Sequence, residues 1–200
     1  MRRLTALYHE KKTYRYGLRF LGSVVLFLLI VGIYCGYLYL TGNFHEVLPG
    51  LLYRSSQPTP EQIAAYKAKY DIQSIVNLRG DNTGSPWYDQ EVAESKRLGI
   101  QHFNFRMSAR RQLSQEQAQE LIAILRKAPK PLLVHCVSGA DRTGLASALY
   151  LAAIAQKGEE ASEDQMSLVF GHVAIPYLSS AFAMDETFEK LEEWLGFPDS

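Results

Sequence analysis

An uncharged run from Phe20 to Leu40, FLGSVVLFLLIVGIYCGYLYL, constrains this chain more than any other feature. At about 1.5 Å per residue, its 21 residues match the roughly 30 Å hydrocarbon core of a bilayer. A chain crossing that core must satisfy its backbone internally, so the run is predicted to be a transmembrane helix. Tyr34, Tyr37 and Tyr39 gather at its C-terminal end, where amphipathic rings favour the headgroup level. The alternative is a cleaved signal peptide. The run exceeds the about 7–15 residues of a signal core, and no small-x-small cleavage site follows it. A buried core helix would not carry so basic a flank.

Charge sets the expected orientation. Residues 1–19 hold Arg2, Arg3, Lys11, Lys12, Arg15 and Arg19 against Glu10, a net of +5 in a chain of net zero, so the remainder carries −5. The positive-inside rule then keeps the N-terminus cytoplasmic and sends the rest across the membrane, into the periplasm if the cell is Gram-negative. An acidic remainder argues against nucleic acid as a partner, because a phosphate backbone needs clustered Lys and Arg. The expected organisation is a basic segment (1–19), a transmembrane helix (20–40), a linker (41–50, with Gly42 and Pro49) and one domain (51–200).

Within that domain, strand-like and helix-like segments alternate. Leu51–Arg54, Ile72–Leu78, Ile100–Arg106 and Leu132–His135 read as strands. Thr59 caps a helix running to about Tyr70, Trp87–Leu98 reads as a helix closed by Gly99, and Ser114 with Gln117 forms a capping box. Helices are further expected from about Arg142 to Gln156, near Ser162–Phe170 and over Pro176–Leu195. Such alternation predicts an α/β fold with a central, mostly parallel sheet flanked by helices. Hydrophobic residues at 47% supply enough material for a packed core.

The chemistry concentrates in LLVHCVSGADRTG, from Leu132 to Gly144. A buried strand ends at Cys136, and Arg142 opens a helix. The intervening Val137, Ser138, Gly139, Ala140 and Asp141 form a loop in which Gly139 is free to take φ > 0. Successive backbone N–H groups can then turn inward as an anion nest, reinforced by the helix N-terminus. Arg142 offers two parallel N–H donors to phosphate oxygens. Cysteines at helix N-termini and beside Arg are held as thiolates, the form that attacks. The predicted reaction has Cys136 attack phosphorus to give a cysteinyl-phosphate, which water then hydrolyses. Thr143 would donate to the departing sulfur, and His135 would orient the loop. The alternative for Cys136 alone is an inert core cysteine. Cys35 and Cys136 cannot build a zinc cluster or a disulfide framework, and the mechanism requires neither metal nor cofactor.

HCVSGADRTG resembles the signature loop of the protein tyrosine phosphatase superfamily, and the small domain resembles its dual-specificity branch. Upstream, YRSSQPTPEQI (Tyr53–Ile63) is similar to the opening of its compact bacterial, fungal and plant members. The resemblance covers roughly Leu51 to Leu195. It implies a dual-specificity-phosphatase-like fold and a phosphatase acting on phosphorylated proteins, phospholipids or sugar phosphates. It also implies a general acid, an Asp on a loop after a strand. Here that loop, Met107–Leu113 (MSARRQL), has no carboxylate, and Arg110 stands where the acid is expected. Asp141 is the replacement the resemblance favours, since some relatives with a Gly-x-Asp-Arg-Thr loop use it; its alternative is a salt bridge or helix cap. Asp81 is the second candidate, with a turn role as its alternative. Arg106, Arg110 and Arg111 form either an anion-recruiting rim or a solvated basic face. Trp87 and Tyr88 are either a pocket wall or core. The missing acid keeps open a phosphate-binding pseudophosphatase as the second reading.

Overall fold

The computed structural model describes residues 2–176 and 178–197, with side chains from residue 16 onward. It divides into two units, Met1–Leu38 and Tyr39–Ser200. The first is nearly all of helix α1 (Arg2–Leu40), so the basic segment and the apolar run are one continuous helix. Its Tyr16–Leu40 stretch has a mean hydropathy of 2.3 and is long and apolar enough to cross a membrane. Phe20, Phe27 and Ile33 are among its exposed apolar side chains.

The second unit is built on five strands, β1 (His45–Leu48), β2 (Leu52–Ser55), β3 (Ser74–Asn77), β4 (Gln101–Asn104) and β5 (Leu132–His135). Their order is β1-β2-β5-β3-β4. β2, β5, β3 and β4 run parallel, and β1 is an antiparallel edge, so the sheet is mixed. Alternation along β5 sorts its side chains between the two faces. Leu132 and Val134 join the larger core, under α4 (Gln115–Lys127), α5 (Asp141–Ala153) and α7 (Phe182–Leu195). Leu133 joins the smaller core with Tyr53, Ile63, Ile72, Ile75 and Ile100, on the side of α2 (Pro60–Tyr70) and α3 (Pro86–Arg97). His135 therefore faces α3, and Cys136 falls on the other side, within the larger core.

Both predicted capping boxes form. Thr59 and Ser114 each accept from the backbone N–H three residues on, and Gln62 and Gln117 accept from the cap's own N–H. Three expectations fail. The segment 41–50 is not a linker: it contains β1, and Asn43 is buried beneath the loop that follows β5. A continuous helix over Ser162–Phe170 is replaced by the short α6 (Glu159–Glu163) and a 3-10 turn (Leu168–Phe170), ended by Gly171 at φ 77°. The expected helix over Pro176–Leu195 starts only at Phe182; its residue 177 lies outside the described residues, as do 198–200 of the expected domain. Between the 3-10 turn and α7 the chain is held by long-range polar contact. His172 is drawn between Asp141 and Asp185, and no helical periodicity encodes that geometry.

Candidate active site

The loop from Cys136 to Arg142 lies where β5 ends and α5 begins. Four of its carbonyls are tied outward. The Gln57 backbone N–H donates to Val137 O at 3.1 Å, and Asn43 Nδ2 donates to Ser138 O at 3.0 Å. Arg54 Nη2 donates to Gly139 O at 2.9 Å and to Ala140 O at 3.3 Å. In a planar trans peptide the N–H points opposite its carbonyl, so the amides of Ser138, Gly139 and Asp141 face away from those partners, while the Ala140 N–H meets the Ser138 hydroxyl at 3.4 Å. Gly139 takes φ +74°, a conformation its missing side chain leaves open. A Cβ there would lie 2.6 Å from Ser56 N and 2.7 Å from the Ser55 carbonyl, so the end of β2 packs directly against the loop.

Cys136 is 1% exposed at the base of this cradle. Arg142 Nη1 makes a long contact of 3.4 Å with Met107 O, while its buried Nε and the buried Thr143 hydroxyl have no hydrogen-bond partner. An orphaned buried donor is costly unless a ligand completes it. The arrangement can hold a tetrahedral oxyanion over a thiol, with N–H groups and a guanidinium around it.

Arg54 is fully buried. Besides the two loop carbonyls it donates to Gln165 O at 2.7 Å and stacks 3.8 Å above Phe170. Burial pushes its guanidinium down to about 9, with Cys136 opposing, so it stays cationic at neutral pH. On the α3 side, Glu91 Oε1 accepts from His135 Nε2 at 2.9 Å and His102 Nε2 at 2.7 Å. Its other oxygen accepts from Gln57 Nε2. Burial would raise the Glu91 carboxyl, but His135 and His102 outweigh it and hold the group well below the usual carboxylate range. Gln57 Oε1 in turn accepts from Arg79 Nη1 at 2.8 Å.

The two candidate acids are both engaged. Asp141 Oδ1 lies 2.8 Å from His172 Nδ1, and Asp185 Oδ2 lies 2.9 Å from His172 Nε2. Burial would lower His172, but the bonds to Asp141 and Asp185 prevail and raise it to about 9. Asp81 is a turn residue: its Oδ1 accepts from the Thr83 N–H and hydroxyl, and those bonds lower its carboxyl. Arg106 donates to the Asp81 carbonyl and is exposed. Arg110 and Arg111 are exposed on their loop, Arg110 beside Ser179, Phe182 and Glu186. Trp87 lies under Arg79, and Tyr88 is buried with its hydroxyl bonded to Asn104. Sequence reasoning missed Asn43, Arg79, Glu91 and His172. Arg54 and Gln57 were visible within YRSSQP but without a role.

The profile of the tyrosine phosphatase family matches residues 35–167. Solved structures share the fold. TpbA of P. aeruginosa aligns with a TM-score of 0.55 at 20% identity, over 76% of this chain and 91% of that one. A putative phosphatase (DUF442) from Shewanella putrefaciens gives 0.58 at 18%, over 76% and 94%. The core catalytic domain of the PP-IP phosphatase SIW14 from S. cerevisiae gives 0.56 at 19%, over 78% and 93%. No curated protein sequence matches the chain. A strand–loop–helix cradle over a buried cysteine, together with the profile match, identifies the class: the chain belongs to the tyrosine phosphatase family and so to the cysteine-dependent phosphatases of the protein tyrosine phosphatase superfamily.

Proposed function

We propose that this chain is a membrane-anchored phosphomonoesterase in which Cys136 is the nucleophile and Arg142 the phosphate clamp. The observation that carries this reading is the set of tied carbonyls from Val137 to Ala140, which fixes the shape of the loop that begins at Cys136 and ends at Arg142. Val137, Ser138, Gly139, Ala140, Asp141 and Arg142 hold the phosphoryl oxygens. Cys136 sulfur forms a bond to phosphorus as the ester P–O bond breaks, and water then releases phosphate and the thiol. Thr143 donates to the departing sulfur, and His135, fixed by Glu91, sets the loop. The site's chemistry calls on no metal or cofactor.

Asp141 is the proposed acid for the leaving oxygen, with its proton supplied by His172 across 2.8 Å. A carboxylate oxygen already held by an imidazole is a poor proton donor, because the proton must first pass across that contact. The enzyme therefore favours leaving groups that need little protonation, aryl phosphates over alkyl phosphates. Phosphotyrosine fits that preference, and the TpbA fold has been solved with phosphotyrosine bound, at a TM-score of 0.53. The anchor is Phe20–Leu40, with the basic N-terminus cytoplasmic and the catalytic unit across the membrane. A phosphorylated protein or lipid at that surface is the substrate.

The test is hydrolysis of aryl and alkyl phosphates by the full chain in detergent. Cys136→Ser should abolish both, and Asp141→Asn should reduce alkyl turnover more than aryl. Tight phosphate binding without turnover of either substrate would establish the pseudophosphatase instead. A reporter fused after Ser200 that reads cytoplasmic would reverse the topology.

A further inference from the structure

Arg79 is held rigid beside the phosphate cradle and has a use the reaction so far does not give it. The Leu78 N–H bonds His135 O at 3.0 Å, which carries the β3–β5 pairing one step beyond the sheet, so Leu78 falls level with Cys136 and Arg79 with Val137, the first residue of the cradle loop. The Arg79 N–H donates to Asn77 Oδ1 at 2.8 Å, fixing the start of the loop. Its guanidinium lies flat on Trp87, 3.4 Å from the ring centroid, and donates Nη1 to Gln57 Oε1. Gln57 cannot turn, because its amide donates to the buried Glu91 and its backbone N–H to Val137 of the cradle. Among the described residues Arg79 makes no salt bridge; the carboxylate of Glu91 is committed to His135 and His102. Burial and the nearby Arg142 both pull Arg79 below the usual guanidinium range, with Glu91 and Cys136 opposing, which makes Arg142 and Cys136 its charged neighbours.

A half-buried arginine, oriented by a stack and a pinned amide and lacking a counter-ion, is pre-organised for an anion. We propose that Arg79 forms a second anion subsite beside the cradle, so that the preferred substrates are phosphate monoesters carrying a second phosphate group close to the one removed. This rests on the cradle being the phosphate site. Arg79 holds the phosphate that stays, while Arg142 and the loop amides hold the one that leaves.

The experiment is calorimetric titration of the full-length Cys136→Ser chain in detergent with methylphosphonate and with methylenebisphosphonate. The bisphosphonate should bind about tenfold or more tightly than the monophosphonate. Adding Arg79→Gln should collapse that ratio to about two, with monophosphonate affinity changed by less than about threefold and the melting temperature preserved. Arg106→Gln, an exposed cation on the same rim, should leave the ratio intact. The proposal is overturned if Arg79→Gln leaves the ratio unchanged, weakens both ligands equally, or is matched by Arg106→Gln, which would signal a diffuse field. Methylphosphonate binding that survives Arg142→Ala would instead place the phosphate site elsewhere, and the subsite would fall with it.

Discussion

Gly139 has no room for a side chain. Its φ of +74° suits glycine, and a Cβ would strike the backbone of Ser55 and Ser56, which cannot move aside as a flexible side chain would. Gly139→Ala should therefore destabilise the fold by about 1–3 kcal/mol and abolish phosphate binding, read by thermal melts and by phosphate titration. Retained binding would mean that the loop tolerates a different shape. Arg54 acts one layer below. Arg54→Met strips the donor from Gly139 O, while Ala140 O keeps the Gly144 N–H, and a buried orphan carbonyl costs about 1–3 kcal/mol. Phosphate affinity should fall with stability, while Arg54→Lys should recover part of both. Cys136, Gly139 and Arg142 were readable from the sequence because their spacing is local and each residue type has one physical use there. Glu91 and His172 were not. Each is a polar residue whose partners come from other elements, and only the fold brings them together.

At the scale of elements, local signals served well where an element is closed by its own residues. Thr59 with Gln62, and Ser114 with Gln117, satisfy the first-turn N–H groups from within the helix, so both starts were legible. β5 was legible as a short apolar run ending at His135. β1 was not, because a four-residue antiparallel edge strand next to Gly42 and Pro49 looks like a tether. That misreading hid Asn43, whose amide bridges Ser138 O and Phe170 O at 3.0 and 2.9 Å. Asn43→Ala should leave those carbonyls without donors and lower kcat/KM about tenfold or more, with a stability loss of about 1–2 kcal/mol. Unchanged turnover would reduce the β1 arm to packing alone. Ser114→Ala is the matching control far from the cradle: it should cost about 1 kcal/mol of stability and leave kcat/KM unaltered.

For the whole molecule, pH ties stability to the buried pairs. His172 is raised from 6.5 to about 9 in the folded state. The folded chain thus holds a proton the unfolded chain releases, so this contribution is complete below pH 6.5 and is lost as pH rises through about 9. The Glu91 carboxyl is depressed, so its contribution is present above the ordinary carboxylate range and is lost on acidification. Melting temperature should fall between pH 6.5 and 9 in the wild type, and the slope should flatten in His172→Gln. An equal slope in both would show that His172 is not protonated in the folded state. The division into an apolar helix and a separate α/β unit was legible because a long uncharged run and an alternating strand–helix pattern are whole-chain signals. The sheet order was not, since nothing in a single strand names its neighbour.

The central claim is that phosphate passes through a covalent bond to Cys136. Rapid acid quench of the full-length chain with an aryl phosphate, followed by peptide mass spectrometry, tests it most directly. The account predicts one phosphoryl group on Cys136 during turnover, more of it in Thr143→Ala, where release of the sulfur is slowed, and none in Cys136→Ser. Turnover that persists in Cys136→Ser, or a phosphoryl group found only on another residue, would contradict it.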